Sequence, residues 1–224
     1  MAFADRRQAG RFLAELLPAE LREAAPVVLA LPRGGVPVGY EIARALNAPL
    51  DVFVVRKLGV PWHEELAFGA IASGEVVVRN EDVIKWSRLD AESMNGVAAR
   101  ESRELARRER AFRGDRAPLD VRGHAVVLVD DGLATGASMR AAMRALRTRE
   151  PARIVVAVPV AAPDICAAIR READLTICAI TPRHFGGVGA WYDDFSQTTD
   201  AEVRDLLADA QRRYAESDRE ASAQ

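Results

Sequence analysis

The chain has 224 residues, 49% hydrophobic and 29% charged, enough to bury the core of one α/β domain. Its 31 basic and 33 acidic residues leave a formal charge of −2, which argues against a surface built to coat nucleic acid. Two cysteines, Cys166 and Cys178, form no C-x-x-C pair, so neither a disulfide nor a zinc framework is expected.

From the first residues the chain turns charged at Asp5-Arg6-Arg7, without the apolar stretch of a signal peptide. No run reaches the ~18 apolar residues of a membrane span. The reading is a cytoplasmic protein in a reducing compartment, with no membrane partner. Phe3, Phe12, Leu13, Leu16 and Leu17 are spaced for an amphipathic helix that ends near Pro18. Val27 to Leu31 is a buried strand, followed by Pro32-Arg33-Gly34-Gly35 and a helix over Val38 to Leu46. Asp51 to Val55 is a second strand. Leu58 to Gly74 starts as loop, and Leu66 to Ala72 can pair with Val76 to Arg79 across Ser73-Gly74-Glu75. Glu81 to Arg113 is helical, its second half laced with Arg and Glu at solvated i,i+4 spacing.

Ala125 to Val129 is a third strand and ends in Asp130-Asp131. A helix follows over Ser138 to Arg147, a strand over Ile154 to Pro159, a helix over Pro163 to Arg170 and a strand over Leu175 to Ile180. After an aromatic, Gly-rich segment comes a last helix, Ala201 to Tyr214. Residues 215–224 read as a disordered polar tail. Apolar strands alternating with helices predict an α/β fold with a mostly parallel sheet covered on both faces. Residues 1–214 form one domain, carrying a hairpin (58–79), a helical insertion (81–113) and a small aromatic segment (182–199).

The most informative stretch runs from Val126 to Ser138, where a buried strand delivers two carboxylates to its end. A loop with two glycines and two hydroxyl residues then opens a helix, and its N–H groups can cradle a phosphate. Carboxylates beside such a cradle suit the hydroxyls of a vicinal diol. The loop has no Lys for a P-loop, and no Gly-x-Gly-x-x-Gly is present. His63, His124 and His184 are dispersed, and no protein-held transition metal is expected.

Val126-Val127-Leu128-Val129-Asp130-Asp131-Gly132-Leu133-Ala134-Thr135-Gly136-Ala137-Ser138 resembles the signature of type I phosphoribosyltransferases, which bind 5-phosphoribosyl-1-pyrophosphate (PRPP). The resemblance implies that Asp130 and Asp131 hold the ribose 2- and 3-hydroxyls. It likewise implies that Ala134, Thr135, Gly136, Ala137 and Ser138 hold the 5-phosphate. Leu31-Pro32-Arg33-Gly34-Gly35 resembles the family's pyrophosphate loop, with a non-proline cis peptide expected at Arg33-Gly34. Arg56 and Lys57 match its basic residues at the root of a flexible lid, here the hairpin. Phe185, Trp191 and Tyr192 fall in the hood, where the acceptor base stacks. The family implies Mg2+ carried with PRPP, touching Asp130 and Asp131 at most, and leaves a homodimer open. Glu65-Leu-Ala-Phe-Gly-Ala-Ile-Ala72 and Trp191-Tyr-Asp-Asp-Phe-Ser-Gln-Thr-Thr199 bring the chain nearest to an uncharacterised bacterial group within that family. Ala134 departs from the 6-oxopurine enzymes, which carry an acid there. The implied activity is phosphoribosyl transfer to a nitrogen nucleophile, a nucleobase or related ring; a PRPP-binding regulator without turnover is the alternative.

Overall fold

A computed structural model describes residues 2–222, apart from the side chains of Glu64, Glu65, Ala221 and Ser222. Five parallel strands form the central sheet: β1 (Val27–Ala30), β2 (Leu50–Val52), β6 (Ala125–Val129), β7 (Arg153–Val160) and β8 (Leu175–Ile180), in the order β2-β1-β6-β7-β8. Val126 to Val129 and Ile154 to Val158 are sealed from water on both faces, as their unbroken apolar runs require. Helices α1 (Arg6–Glu15), α3 (Gly35–Leu46), α6 (Ala137–Arg147), α7 (Pro163–Arg170) and α8 (Asp200–Ser222) flank the sheet. A short α2 (Glu20–Glu23), absent from the sequence reading, bridges the first helix to β1.

The chain leaves β1 toward β2 on one side and reaches β6 on the other. The carboxyl ends of β1 and β6, adjacent through Ala30 and Val129, are therefore the switch point where such sheets bind ligands. Both informative loops start there.

A second sheet holds β3 (Val55–Val60), β4 (His63–Ala72) and β5 (Val76–Arg79), all antiparallel. Ala72 pairs Val76 and Gly69 pairs Arg79, the register the sequence suggests. Residues 58–60, expected as loop, are strand instead: Leu58 and Val60 are fully buried, and β4 supplies the partner that a local reading cannot see. The long helix breaks into α4 (Glu81–Ser87) and α5 (Ala91–Arg113), because Arg88 turns left-handed and Asp90 caps the second segment. Buried Arg113 closes α5 onto β2, its Nε 3.0 Å from Asp51 and its Nη2 3.1 Å from the Val52 carbonyl.

Three further expectations are corrected. Cys166 and Cys178 form a disulfide, because α7 lies across β8 and brings cysteines twelve residues apart face to face. The cysteines therefore give no argument for a reducing compartment. The cis peptide lies at Pro32-Arg33, one bond earlier than expected. The last helix does not stop at Tyr214 but runs to Ser222, since residues 213–222 contain neither Gly nor Pro to end it. Ala223 and Gln224, the end of the expected tail, lie outside the described residues. Among the described residues no helix is long and apolar enough to cross a membrane.

Candidate functional site

The loop after β1 lies directly on the acid pair after β6. A Cβ built on Gly34 would stand 1.9 Å from Asp131 Oδ2, and one on Gly35 would stand 2.8 Å from the Val129 carbonyl. Only glycine allows that approach. Motifs nearly a hundred residues apart in sequence are thus one surface. Beyond the acids, Leu133 is tied to β7 through its N–H on the Val160 carbonyl at 2.9 Å. Gly136 then adopts φ 67° to start α6, and Thr135 Oγ1 accepts from Ala137 N–H at 3.4 Å. Ala134 and Thr135, just before α6, and Ser138, in its first turn, are exposed at a helix end whose N–H groups and dipole favour an anion.

The two carboxylates are electrostatically unequal. Burial, reinforced by the neighbouring Asp131, holds the Asp130 carboxyl well above the usual range. Asp131 is also pushed up by burial, but the Arg6 guanidinium opposes this from 2.8 Å. Arg6 thus meets Asp131 through a direct hydrogen bond and acts on Asp130 through its charge alone.

Sequence reasoning missed Arg6. Asp5 caps α1 and places Arg6 in its first turn, a local signal, but nothing local says that this side chain reaches residue 131. Arg6 also donates to the Ser196 carbonyl at 2.7 Å and lies 4.0 Å from the Phe195 ring centroid. Arg6→Ala should raise the Asp131 titration midpoint, because the opposing charge and hydrogen bond vanish. Carboxyl-carbon NMR titration checks this; an unchanged midpoint would show that Arg6 does not govern Asp131.

The remaining candidates sit differently from one another. Arg33 is half-exposed and makes only a loose contact with Asp200 at 3.5 Å, so an incoming anion could displace it. Arg56 is held at its Nε and Nη2 by Glu101 of α5, at 2.8 and 2.6 Å. Burial pushes the Glu101 carboxyl up, yet bonds from Arg56 and Arg100 outweigh it and leave it below the usual range. Lys57 is exposed. Tyr192 is buried: its ring meets Phe3 and Phe195, and its hydroxyl donates to the Asp131 carbonyl at 2.7 Å. Its face is consumed by packing, and burial, with the nearby Asp131, pushes its phenol far up. Trp191 is half-buried, its indole N–H on the Phe185 carbonyl at 2.9 Å. Phe3 adds a strand-like bridge to Tyr192, so the aromatic segment is tied by backbone hydrogen bonds to residues 3 and 4. Among the described residues no three His, Cys, Asp or Glu side chains converge as a metal site.

A family model described as "Phosphoribosyl transferase domain" matches residues 5–179. The chain belongs to the phosphoribosyl transferase domain family. Two Mycobacterium tuberculosis proteins, from strains CDC 1551 and H37Rv, are each 48% identical over 215 residues, 96% of this chain; both are named "Putative phosphoribosyl transferase". The chain spans about half the length of these curated relatives, 48%. An "Orotate phosphoribosyltransferase" of Sphingopyxis alaskensis is 38% identical over 99 residues, 42% of this chain and 48% of that protein. The crystal structure of TT1426 from Thermus thermophilus shares 43% identity and a TM-score of 0.84, covering 93% of this chain and 99% of that one. The matched region contains the Gly34-Gly35 loop, the acid pair and the 134–138 loop. It stops at residue 179, before the aromatic segment.

Proposed function

We propose that this phosphoribosyl transferase family member binds PRPP with Mg2+ and transfers its 5-phosphoribosyl group to a nitrogen nucleophile, releasing pyrophosphate. The observation that carries the reading is the contact of Gly34 and Gly35 with Asp130 and Asp131 at the switch point of the sheet, beside an open helix N-terminus. A phosphate at residues 134–138, a diol at the acids and a diphosphate at residues 33–35 would lie in that order along one ligand.

Asp131, held by Arg6, accepts a hydrogen bond from one ribose hydroxyl, and Asp130 takes the other. The N–H groups of residues 134–138 fix the 5-phosphate. The nitrogen attacks C1; the bond from C1 to the pyrophosphate oxygen breaks, its electron pair leaves with pyrophosphate, and the nitrogen sheds its proton. Arg33 and Lys57 neutralise the departing charge, whereas Arg56 acts from its fixed place on Glu101. Catalysis is positioning and electrostatics, without a covalent enzyme intermediate. Asp130 and Asp131 are the residues that would hold Mg2+, which would supply further charge neutralisation there. The hairpin of residues 58–79 is the element proposed to close over the reacting centre and exclude water. An acceptor ring would be read by Phe185, by the accessible part of Trp191 or by backbone groups near residues 185–191, since Tyr192 is committed elsewhere.

PRPP with Mg2+ at one hundred times its dissociation constant should stabilise the fold by about 2.7 kcal/mol. Differential scanning fluorimetry and calorimetry would measure it. No shift and no heat at saturating PRPP would remove the central claim.

A further inference from the structure

A second cleft of about 250 Å3 lies between α6 and the β3–β4–β5 sheet. Ala137, Arg140, Ala141 and Arg144, one stripe of α6 at i, i+3, i+4 and i+7, form one wall. Ala67, Gly69 and Ala70 form a floor of small residues, and Lys57, Arg79 and Asn80 close the other side. Ala137 and Lys57 are the lining residues shared with the proposed PRPP site, and neither residues 33–35 nor the acid pair take part.

Charge makes this cleft unusual. Four cations line it, and among the described residues no acidic side chain does. Arg140 meets Glu172 at 3.0 Å, outside the cleft lining. No ion pair to Lys57, Arg79 or Arg144 forms among the described residues, although the chain as a whole is nearly neutral and most of α5 is laced with such pairs. Arg140 and Arg144 repel each other at i,i+4, and an anion between them would reverse that repulsion. The space falls below the roughly 300–1,000 Å3 that encloses a drug-sized molecule. It fits a compact anion rather than an entire nucleotide, and three arginines with a lysine match paired phosphoryl groups.

We propose that this cleft is a separate anion site that takes a pyrophosphoryl group, either free pyrophosphate or the terminal phosphates of a nucleotide whose remainder stays outside. It does not depend on the PRPP reading. The probe is pyrophosphate without Mg2+, titrated calorimetrically into Asp130→Asn/Asp131→Asn protein, whose acid pair is disabled. Binding should persist there, and adding Arg79→Gln and Arg144→Gln should weaken it by roughly ten- to a hundredfold, the loss of a charge-assisted contact. Far-ultraviolet circular dichroism confirms that the variants are folded; Arg79→Lys/Arg144→Lys, which keeps the charge, should restore most of the affinity. Binding that vanishes with the acid pair alone, or that survives the glutamines unchanged, overturns the proposal. ATP bound as tightly as pyrophosphate and lost in the same variant assigns the site to a nucleotide tail; a strong preference for pyrophosphate assigns it to the free anion. If wild-type protein ignores PRPP yet passes this test, the transferase reading fails and the anion site stands.

Discussion

Asp130→Asn should cost PRPP affinity and, in the ligand-free protein, increase stability. The two effects have opposite signs because the same carboxyl, proposed to hold the ligand, burdens the fold. Its pKa is raised by burial and by Asp131. A raised carboxyl pKa means that the folded chain binds more protons than the unfolded chain between the ordinary carboxylate value and the raised one. Stability therefore falls as pH rises through that window and stays low above it. An amide cannot ionise, so Asp130→Asn should melt higher than wild type at neutral pH and lose much of this pH dependence. In the same variant one charged hydrogen bond to ribose disappears, about 1.5–3 kcal/mol, or roughly ten- to more than a hundredfold in affinity. Asp131→Asn should lose a similar affinity, but with less gain in stability, because it also strands Arg6. Melting curves from pH 4 to 8, with and without PRPP and Mg2+, measure both signs. A variant that binds PRPP like wild type would end the diol assignment; one that melts lower across the range would contradict the electrostatic account.

The other large effect is expected from a single methyl group. Gly34 has φ −61° and ψ −30°, angles that alanine adopts without strain, so Gly34→Ala tests contact alone. Its Cβ would fall 1.9 Å from Asp131 Oδ2, 2.6 Å from its Cγ and 3.2 Å from Arg6 Nε. Either the carboxylate leaves Arg6 or the loop after β1 lifts from the sheet. Overpacking of this kind costs about 1–3 kcal/mol, and the displaced carboxylate should reduce PRPP affinity by about a hundredfold or more, since both the acid and the loop beside it are disturbed. Thermal unfolding and PRPP calorimetry decide it. Wild-type affinity in Gly34→Ala would mean that the loop does not need to lie against the acids.

Much of the fold is legible along the chain because its signals are local. Ala125 to Val129, Pro163 to Arg170 and Leu175 to Ile180 have the same bounds in the sequence reading and in the structure, since buried parallel strands are continuous apolar runs and helices carry their own stops. The acid pair and the phosphate-loop candidates share one strand–turn–helix, and so can be proposed together. What escapes depends on partners far away in sequence. Leu58 to Val60 needs β4, the disulfide needs α7 laid over β8, and the Glu101 that holds Arg56 sits on a helix whose charges look uniformly solvated. Tyr192 and Trp191 look alike as aromatic letters in a Gly-rich loop. Only packing separates the buried ring that supports Asp131 from the half-covered indole beside it.

The clamp between Phe3, Arg6 and Tyr192 also sets an order in time. The acid pair is translated midway along the chain, but the hydroxyl that supports its backbone lies 61 residues later. At about 5–20 residues per second, a ribosome needs roughly 3–12 s to cross that interval. During it, the sheet can pair β1 with β6 while Arg6 has no aromatic ring to rest on. The part that supports the acid pair is thus synthesised after the pair itself.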